Sequence, residues 1–257
     1  MKRLRTMLHV DFRRMFTQPL LYIMVGACLV MPILILVMTT MMDGSVSVNP
    51  QTGVETVVEG FDNVWQIIGN VSTAQATMSM DMTAMCNINL LYFIVAVLVC
   101  LFVSEDFRSG YAKNLFTVRA KKTDYVISKI LVCFAGGVLM VLSFFGGSLA
   151  GGAIAGLPFD MVGFGAANLV MCVLAKVLLM AVFVPIYLIL AVIAKSKSWL
   201  SILLSMMVGM FLFMMIPMLS PLDAGLIHPL GCLAGGAMFS IGFGIISNQI
   251  LKKTSLV

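Results

Sequence analysis

Charge is scarce in this sequence. Of 257 residues, 11% are Asp, Glu, Lys or Arg and 61% are hydrophobic. An ordinary soluble domain carries about 25% charged and about 45–50% apolar residues. The scarcity excludes a soluble domain, because the excess apolar surface has to face lipid. Paired cysteines are also missing. Cys28, Cys86, Cys100, Cys133, Cys172 and Cys232 lie in or beside apolar runs and none forms C-x-x-C. They read as small buried hydrophobes rather than a disulfide framework or a zinc site. No G-x-x-x-x-G-K-[ST] loop occurs, so the chain has no ATP site of that kind. H-E-x-x-H and G-x-S-x-G are absent as well. The two histidines, His9 and His228, fall at opposite membrane faces of the topology derived below. No catalytic residue and no metal site are assigned.

Long apolar runs are what the sequence has in place of charge. Six of them approach or exceed the roughly 20 residues needed to cross a hydrocarbon core: about Leu20 to Met42, Ala84 to Val103, Ile130 to Gly156, Phe164 to Ile193, Trp199 to Ser220 and Leu230 to Leu251. They are continuous, which excludes the short alternating strands of a membrane β-barrel. The first run extends unbroken past Val25-Gly26-Ala27-Cys28 to Met42, too long for a signal h-region, so it is expected to be a retained helix. The fold class is an all-α integral membrane protein with six transmembrane helices, the whole of 1–257 forming one transmembrane domain.

Basic residues orient it. Fifteen of the sixteen Lys and Arg lie before the first run, between the second and third, between the fourth and fifth, or after the sixth. The opposite side has none, and carries Asp43, Glu55, Glu59, Asp62, Asp81, Asp160 and Asp223. The excess of positive charge on cytoplasmic loops places both termini in the cytoplasm. The net charge of +5 is therefore juxtamembrane, suited to anionic lipid, and no nucleic-acid partner is expected.

Between the runs, residues 1–18 predict an interfacial amphipathic helix. Leu4, Met7, Leu8, Phe12 and Met15 follow helical spacing, Arg3, Arg13 and Arg14 fall on the other face, and Gln18-Pro19 ends it. Residues 43–83 form a long external segment in which Phe61, Val64, Trp65 and Ile68 predict a short helix, with Trp65 at the membrane interface. Met78, Met80 and Met82 suggest soft Cu(I) ligands only weakly, for want of a neighbouring Cys or His. Gly147/Gly151, Gly152/Gly156 and Gly231/Gly235 have the spacing that lets helices approach closely, within one subunit or across a dimer seam. Lys176 is the one basic residue inside an apolar run. A lysine at such depth costs roughly 2.5–3.5 kcal/mol on insertion scales. It either lines a translocation pathway or is bonded to helix carbonyls or Asn168. The Met-rich fifth run (Met206, Met207, Met210, Met214, Met215, Met218) suits either lipid and core contacts or varied apolar ligands.

The cytoplasmic segment 104–129 is the most specific. It runs Ser104-Glu105-Asp106-Phe107-Arg108-Ser109-Gly110-Tyr111-Ala112-Lys113-Asn114-Leu115-Phe116-Thr117-Val118-Arg119, then on to Tyr125 and Lys129. Charges alternate with Tyr111, Leu115 and Phe116, a pattern of apolar anchors in a polar rim. The segment resembles the first cytoplasmic loop of ABC transporter permeases of the type-2 export class. The matching positions are Glu105, Gly110, Lys113-Asn114, Arg119, Tyr125 and Lys129; Thr117-Val118 departs from the proline common before the arginine. The resemblance implies the membrane half of a bacterial ABC exporter in the cytoplasmic membrane. Two copies of the permease would pair with two copies of a separate ATPase, which holds the ATP and Mg. A coupling helix at about Tyr111 to Val118 would dock in the ATPase, with Glu105, Asp106, Gly110, Tyr111, Lys113, Asn114, Leu115, Phe116 and Arg119 as the coupling residues. Small size, the external segment and Met-rich spans resemble exporters of amphipathic or hydrophobic peptides. Drug or lipid export, or an ATPase-independent channel or ion-coupled transporter, are the alternatives.

Overall fold

Gln18 takes an extended backbone (ψ 135°) before Pro19, and this break separates the first two helices of the computed structural model. The structure describes residues 2–48, 55–57, 60–71, 86–117, 121–213 and 215–253. Helix α1 is Lys2–Thr17 and α2 is Pro19–Met42, with Pro19 in its first turn, where a missing N–H costs nothing. A short antiparallel pair follows, β1 (Val46–Val48) with β2 (Glu55–Val57). Then come α3 (Leu91–Arg108), α4 (Tyr111–Thr117), α5 (Lys122–Ala155), α6 (Ala166–Ala194), α7 (Ser198–Phe213), α8 (Ile216–Leu219) and α9 (Ile227–Lys253).

Five helical stretches among the described residues are long and apolar enough to cross a membrane: Pro19–Met42, Ile88–Arg108, Lys122–Ala155, Ala166–Ala194 and Ile227–Lys253. The fifth apolar run of the sequence behaves differently. It divides into α7 and α8, and Pro217 lies in the first turn of α8. Proline supplies no N–H to a continuing helix. Helix α7 alone, at 16 residues, is about 24 Å long, short of the roughly 30 Å core.

The helices sort into a centre and a periphery. Within their most apolar windows, α3 and α6 are each 67% buried, against 22% for α2 and 17% for α9. Helix α2 lies along α5 and α9 along α6. Glycine permits the first contact: a Cβ at Gly151 would sit 2.8 Å from Ile33 Cα, and one at Gly147 would overlap the Leu29 carbonyl. These glycines pack helices within one chain, and Gly236 does the same against Ala181. Gly231 and Gly235 have nothing within 4 Å. Gly156 ends α5 in the left-handed region (φ +70°), where glycine carries no steric penalty.

The external segment departs from expectation. Phe61, Val64, Trp65 and Ile68 are all buried, around a 3-10 turn at Val64–Ile67. Trp65 is turned into the chain. Its Nε1 donates to the Phe159 carbonyl at 3.0 Å, and Val64 N donates to the Pro158 carbonyl at 3.2 Å. The hydrophobic stripe is spent on the α5–α6 connection. Met78, Met80, Met82 and Asp81 lie outside the described residues, as do Asn49, Pro50 and Glu59. The cysteines are free, and all but Cys86 are buried.

Candidate functional site

The loop between the second and third crossings is shorter than its sequence implies, because both flanking helices extend into it. Helix α3 continues through Glu105 and Asp106 to Arg108. Ser109 closes it, its N and Oγ donating to the Glu105 carbonyl at 2.9 and 2.7 Å. Gly110 then turns the chain at φ +74°, a conformation that a side chain would strain. The expected coupling helix follows as α4. Arg119 and Val118 lie outside the described residues.

Beneath α4 lies a cluster of four charges from three helices, three of them buried and Arg14 partly exposed. Lys129 Nζ of α5 is 2.9 Å from Asp11 Oδ1 of α1 and 2.8 Å from Asp106 Oδ2 of α3. Arg14 Nη1 of α1 forms an ion pair with Asp106 Oδ1 at 2.8 Å and lies 3.8 Å from Asp11 Oδ1. Neutral donors complete the carboxylates: Tyr125 OH donates to Asp106 Oδ2 at 2.9 Å and Ser128 Oγ to Asp11 Oδ2 at 2.6 Å. The side chains of Asp11, Asp106 and Lys129 are 0% exposed. Two anions and two cations balance, which is what such burial requires, since each isolated ion costs several kcal/mol to remove from water. Aromatic faces close the site. Lys129 Nζ sits 4.1 Å from the Phe102 ring centre and Arg14 Cζ 4.0 Å from that of Tyr111, both within cation–π range. Burial works against the Arg14 charge, but Asp106, with Asp11 behind it, more than compensates and lifts its pKa above the ordinary arginine value. Burial, with the nearby Asp11, pushes the Tyr111 phenol up despite Lys129 and Arg14.

The cluster holds α4 to the bundle, and the three apolar side chains expected as anchors are partly buried against it. Tyr111 turns inward under Arg14. Phe116 packs edge-on against Tyr125 with ring centres 5.4 Å apart. Leu115 is also packed against the core. What α4 exposes is Lys113, Asn114 and Thr117. Glu105 stays at the surface, paired with Arg108 at 2.6 Å, so Asp106 rather than Glu105 is the buried acid of this pair. Lys122, opening α5, donates to the Leu251 carbonyl at 2.5 Å, tying the last turn of α9 to the foot of α5.

Asp11 is the residue that sequence reasoning passed over, and Arg14 the one it turned the wrong way. Met7, Asp11 and Met15 form the buried line of α1, and Arg14 reaches inward instead of joining the basic outer face. The signal was present: an acid set four residues from each of two apolar positions on the buried stripe.

At the far end of the bundle, Lys176 is 1% exposed and its Nζ donates to Ser220 Oγ at 2.9 Å. Asn168 does not meet it; Asn168 Nδ2 donates to the carbonyls of Asp223 and Ala224. Tyr92 OH donates to the Lys176 carbonyl at 3.0 Å.

Comparison with known proteins gives a family match. The model of a family described as ABC-2 family transporter protein matches residues 12–213, a stretch that contains α2 to α7, the loop and three of the four clustered charges. No curated protein matches, and no solved structure matches.

Proposed function

The chain belongs to the ABC-2 family of transporter proteins, and we propose that it is the permease subunit of an ATP-driven exporter. In this reading six crossings leave both termini in the cytoplasm of a bacterial cell, with α7 and α8 together making the fifth. A second copy of the chain completes the translocation path. Two copies of a separate ATPase bind ATP and Mg and close on each other. Helix α4 receives that motion. The cargo is an amphipathic or hydrophobic peptide leaving the cytoplasm or the inner leaflet.

The observation that carries this reading is the charge cluster. A seven-residue helix is too short to be stable alone. Here it is held by Tyr111 on Arg14 and Phe116 on Tyr125, above ion pairs that link α1, α3 and α5. A push on Lys113 and Asn114 is thereby delivered to three helices at once. Interfaces of this kind transmit displacement because packed contacts hold discrete arrangements and do not deform continuously.

The test is co-expression with a candidate ABC ATPase, sought first in the reading frames that flank this gene; the lack of any such ATPase would favour an ATPase-independent transporter. Lys113→Glu with Asn114→Ala alters only exposed side chains, so the permease should insert and melt as before. Co-purification of the ATPase should be lost. Retained co-purification and unchanged ATP hydrolysis would mean that α4 is only a connector. Replacing the full alternating set Tyr111, Leu115 and Phe116 by Ala, by contrast, should loosen α4 itself.

A further inference from the structure

Asn168, Cys172 and Lys176 of α6 recur every four residues, so they line one stripe of the helix, and all three donate to the same short stretch of chain. Asn168 Nδ2 reaches the carbonyls of Asp223 and Ala224 at 3.3 and 3.2 Å. Cys172 Sγ reaches the Ser220 carbonyl at 3.4 Å. Lys176 Nζ reaches Ser220 Oγ at 2.9 Å, and that hydroxyl donates to the Ile216 carbonyl at 2.9 Å. From the other sides, Cys232 Sγ of α9 approaches the Leu219 carbonyl at 3.8 Å, and Leu222 N donates to the Asn70 carbonyl at 2.9 Å.

The stretch 216–224 is thus a wedge between α6, α9 and the external segment, placed where the fifth apolar run breaks. Ile216, Ser220, Leu222 and Ala224 are buried in it. Its ties differ in kind from those at the charge cluster. The acceptors are a hydroxyl and main-chain carbonyls, and two of the donors are thiols, which make weak hydrogen bonds. Only the Lys176 ammonium brings a charge, and it meets a neutral hydroxyl, so each tie is weaker than the cation–carboxylate pairs of the cluster. The chain beyond the wedge is open: a Cβ at Gly225 would meet nothing within 4 Å.

We propose that residues 216–224 are a movable plug over the outer mouth of the helix bundle, latched by the Asn168–Cys172–Lys176 stripe, and that Lys176 joins the translocation path when the latch is released. The outer placement and the translocation path rest on the orientation and function proposed above; the latch contacts do not. In the closed state the ammonium is spent on Ser220. Lifting the wedge removes that acceptor and leaves a cation facing the opening. Lys176 is the only Lys or Arg that lies outside the four cytoplasmic clusters.

Native thiols report the motion. Cys172 and Cys232 are 0% and 4% exposed and lie against the plug; Cys28, Cys100 and Cys133 are buried elsewhere. The full chain is reconstituted in sealed vesicles and treated with a membrane-impermeant maleimide, and labelling of each cysteine is read by mass spectrometry. The plug predicts slow labelling of Cys172 and Cys232 in the wild type. Ser220→Ala, and separately Lys176→Met, should raise both rates about tenfold, the loss of one hydrogen bond to a charged group. Cys28, Cys100 and Cys133 should stay silent. Silence of Cys172 and Cys232 in wild type and both variants overturns the plug. A joint rise of all buried cysteines overturns it too, since it marks the stripe as ordinary core. Labelling of Cys172 and Cys232 only in inside-out vesicles upholds the plug and refutes the membrane orientation instead.

Discussion

At the end of the bundle that carries α1 and the loop, four charged side chains bind one another at 2.8–2.9 Å around Lys129 and Asp106. At the other end a single lysine, an asparagine and a cysteine of α6 reach the hydroxyl and carbonyls of a short wedge. The difference teaches how one helical membrane protein can be rigid in one place and yielding in another. Paired buried ions are costly to separate, because each would be left uncompensated in a medium of low dielectric constant. At the wedge only Lys176 is charged, and its bond to a neutral hydroxyl, like those of Asn168 and Cys172 to carbonyls, can be exchanged for water without stranding an opposite charge. The first arrangement suits a part that must receive force without deforming, and the second suits a part that must open.

The comparison breaks first if the cluster is not one unit. Asp106→Asn or Lys129→Met leaves a buried ion without its partner and should cost about 3–5 kcal/mol, read as a lower melting temperature of the purified protein. The double variant Asp11→Asn with Lys129→Met should lose less than the sum of the two singles, because the second change removes the charge that the first stranded. Strict additivity would show that Asp11 and Lys129 do not act together.

Crowding a close helix contact ranks next. Gly151→Val places a branched side chain where a Cβ alone would be 2.8 Å from Ile33 Cα. Overpacking of this sort costs about 1–3 kcal/mol. Gly235→Val, at an open position, should leave the melting temperature of the single chain nearly unchanged. Equal losses at both positions would mean that α2 does not lie on α5 as described.

Lys176→Met sharpens the contrast between the two ends. It removes one hydrogen bond and leaves a neutral hydroxyl, so the expected cost is about 1–2 kcal/mol, clearly less than Lys129→Met. A loss as large as that of Lys129→Met would erase the distinction. Smallest of all is Glu105→Gln. Its pair with Arg108 is exposed, with side chains 37% and 68% accessible, and a surface ion pair is worth about 0–1 kcal/mol.

Much of this fold was legible in the sequence, because lipid enforces it. The break at Gln18-Pro19, the five helices long and apolar enough to cross a membrane, and the short helix from Tyr111 follow from apolar length, proline and glycine. The division of the fifth run was not legible from hydropathy, since Ile216-Pro217-Met218-Leu219 is as apolar as what precedes it; only Pro217 marked the place. Partner faces were the harder part. Tyr111, Phe116 and Trp65 are aromatics whose spacing fits a docking or interfacial surface as well as an inward one. Which one they take is decided by Arg14 and Phe159, far away in sequence, and by Tyr125 on the next helix. Asp11 escaped notice because a charge on an apolar stripe reads as a flaw until Lys129 and Ser128 are seen opposite it.

The account turns on α4 being a rigid docking element with Lys113 and Asn114 facing outward. Its most direct measurement is the affinity of the purified protein for the ATPase proposed as its partner, for the wild type and for Lys113→Glu with Asn114→Ala, alongside the melting temperature of each. The account predicts an unchanged melting temperature and binding weakened by at least about tenfold, as expected for truncating residues at the centre of an interface. Binding that is as tight in the variant as in the wild type would contradict it.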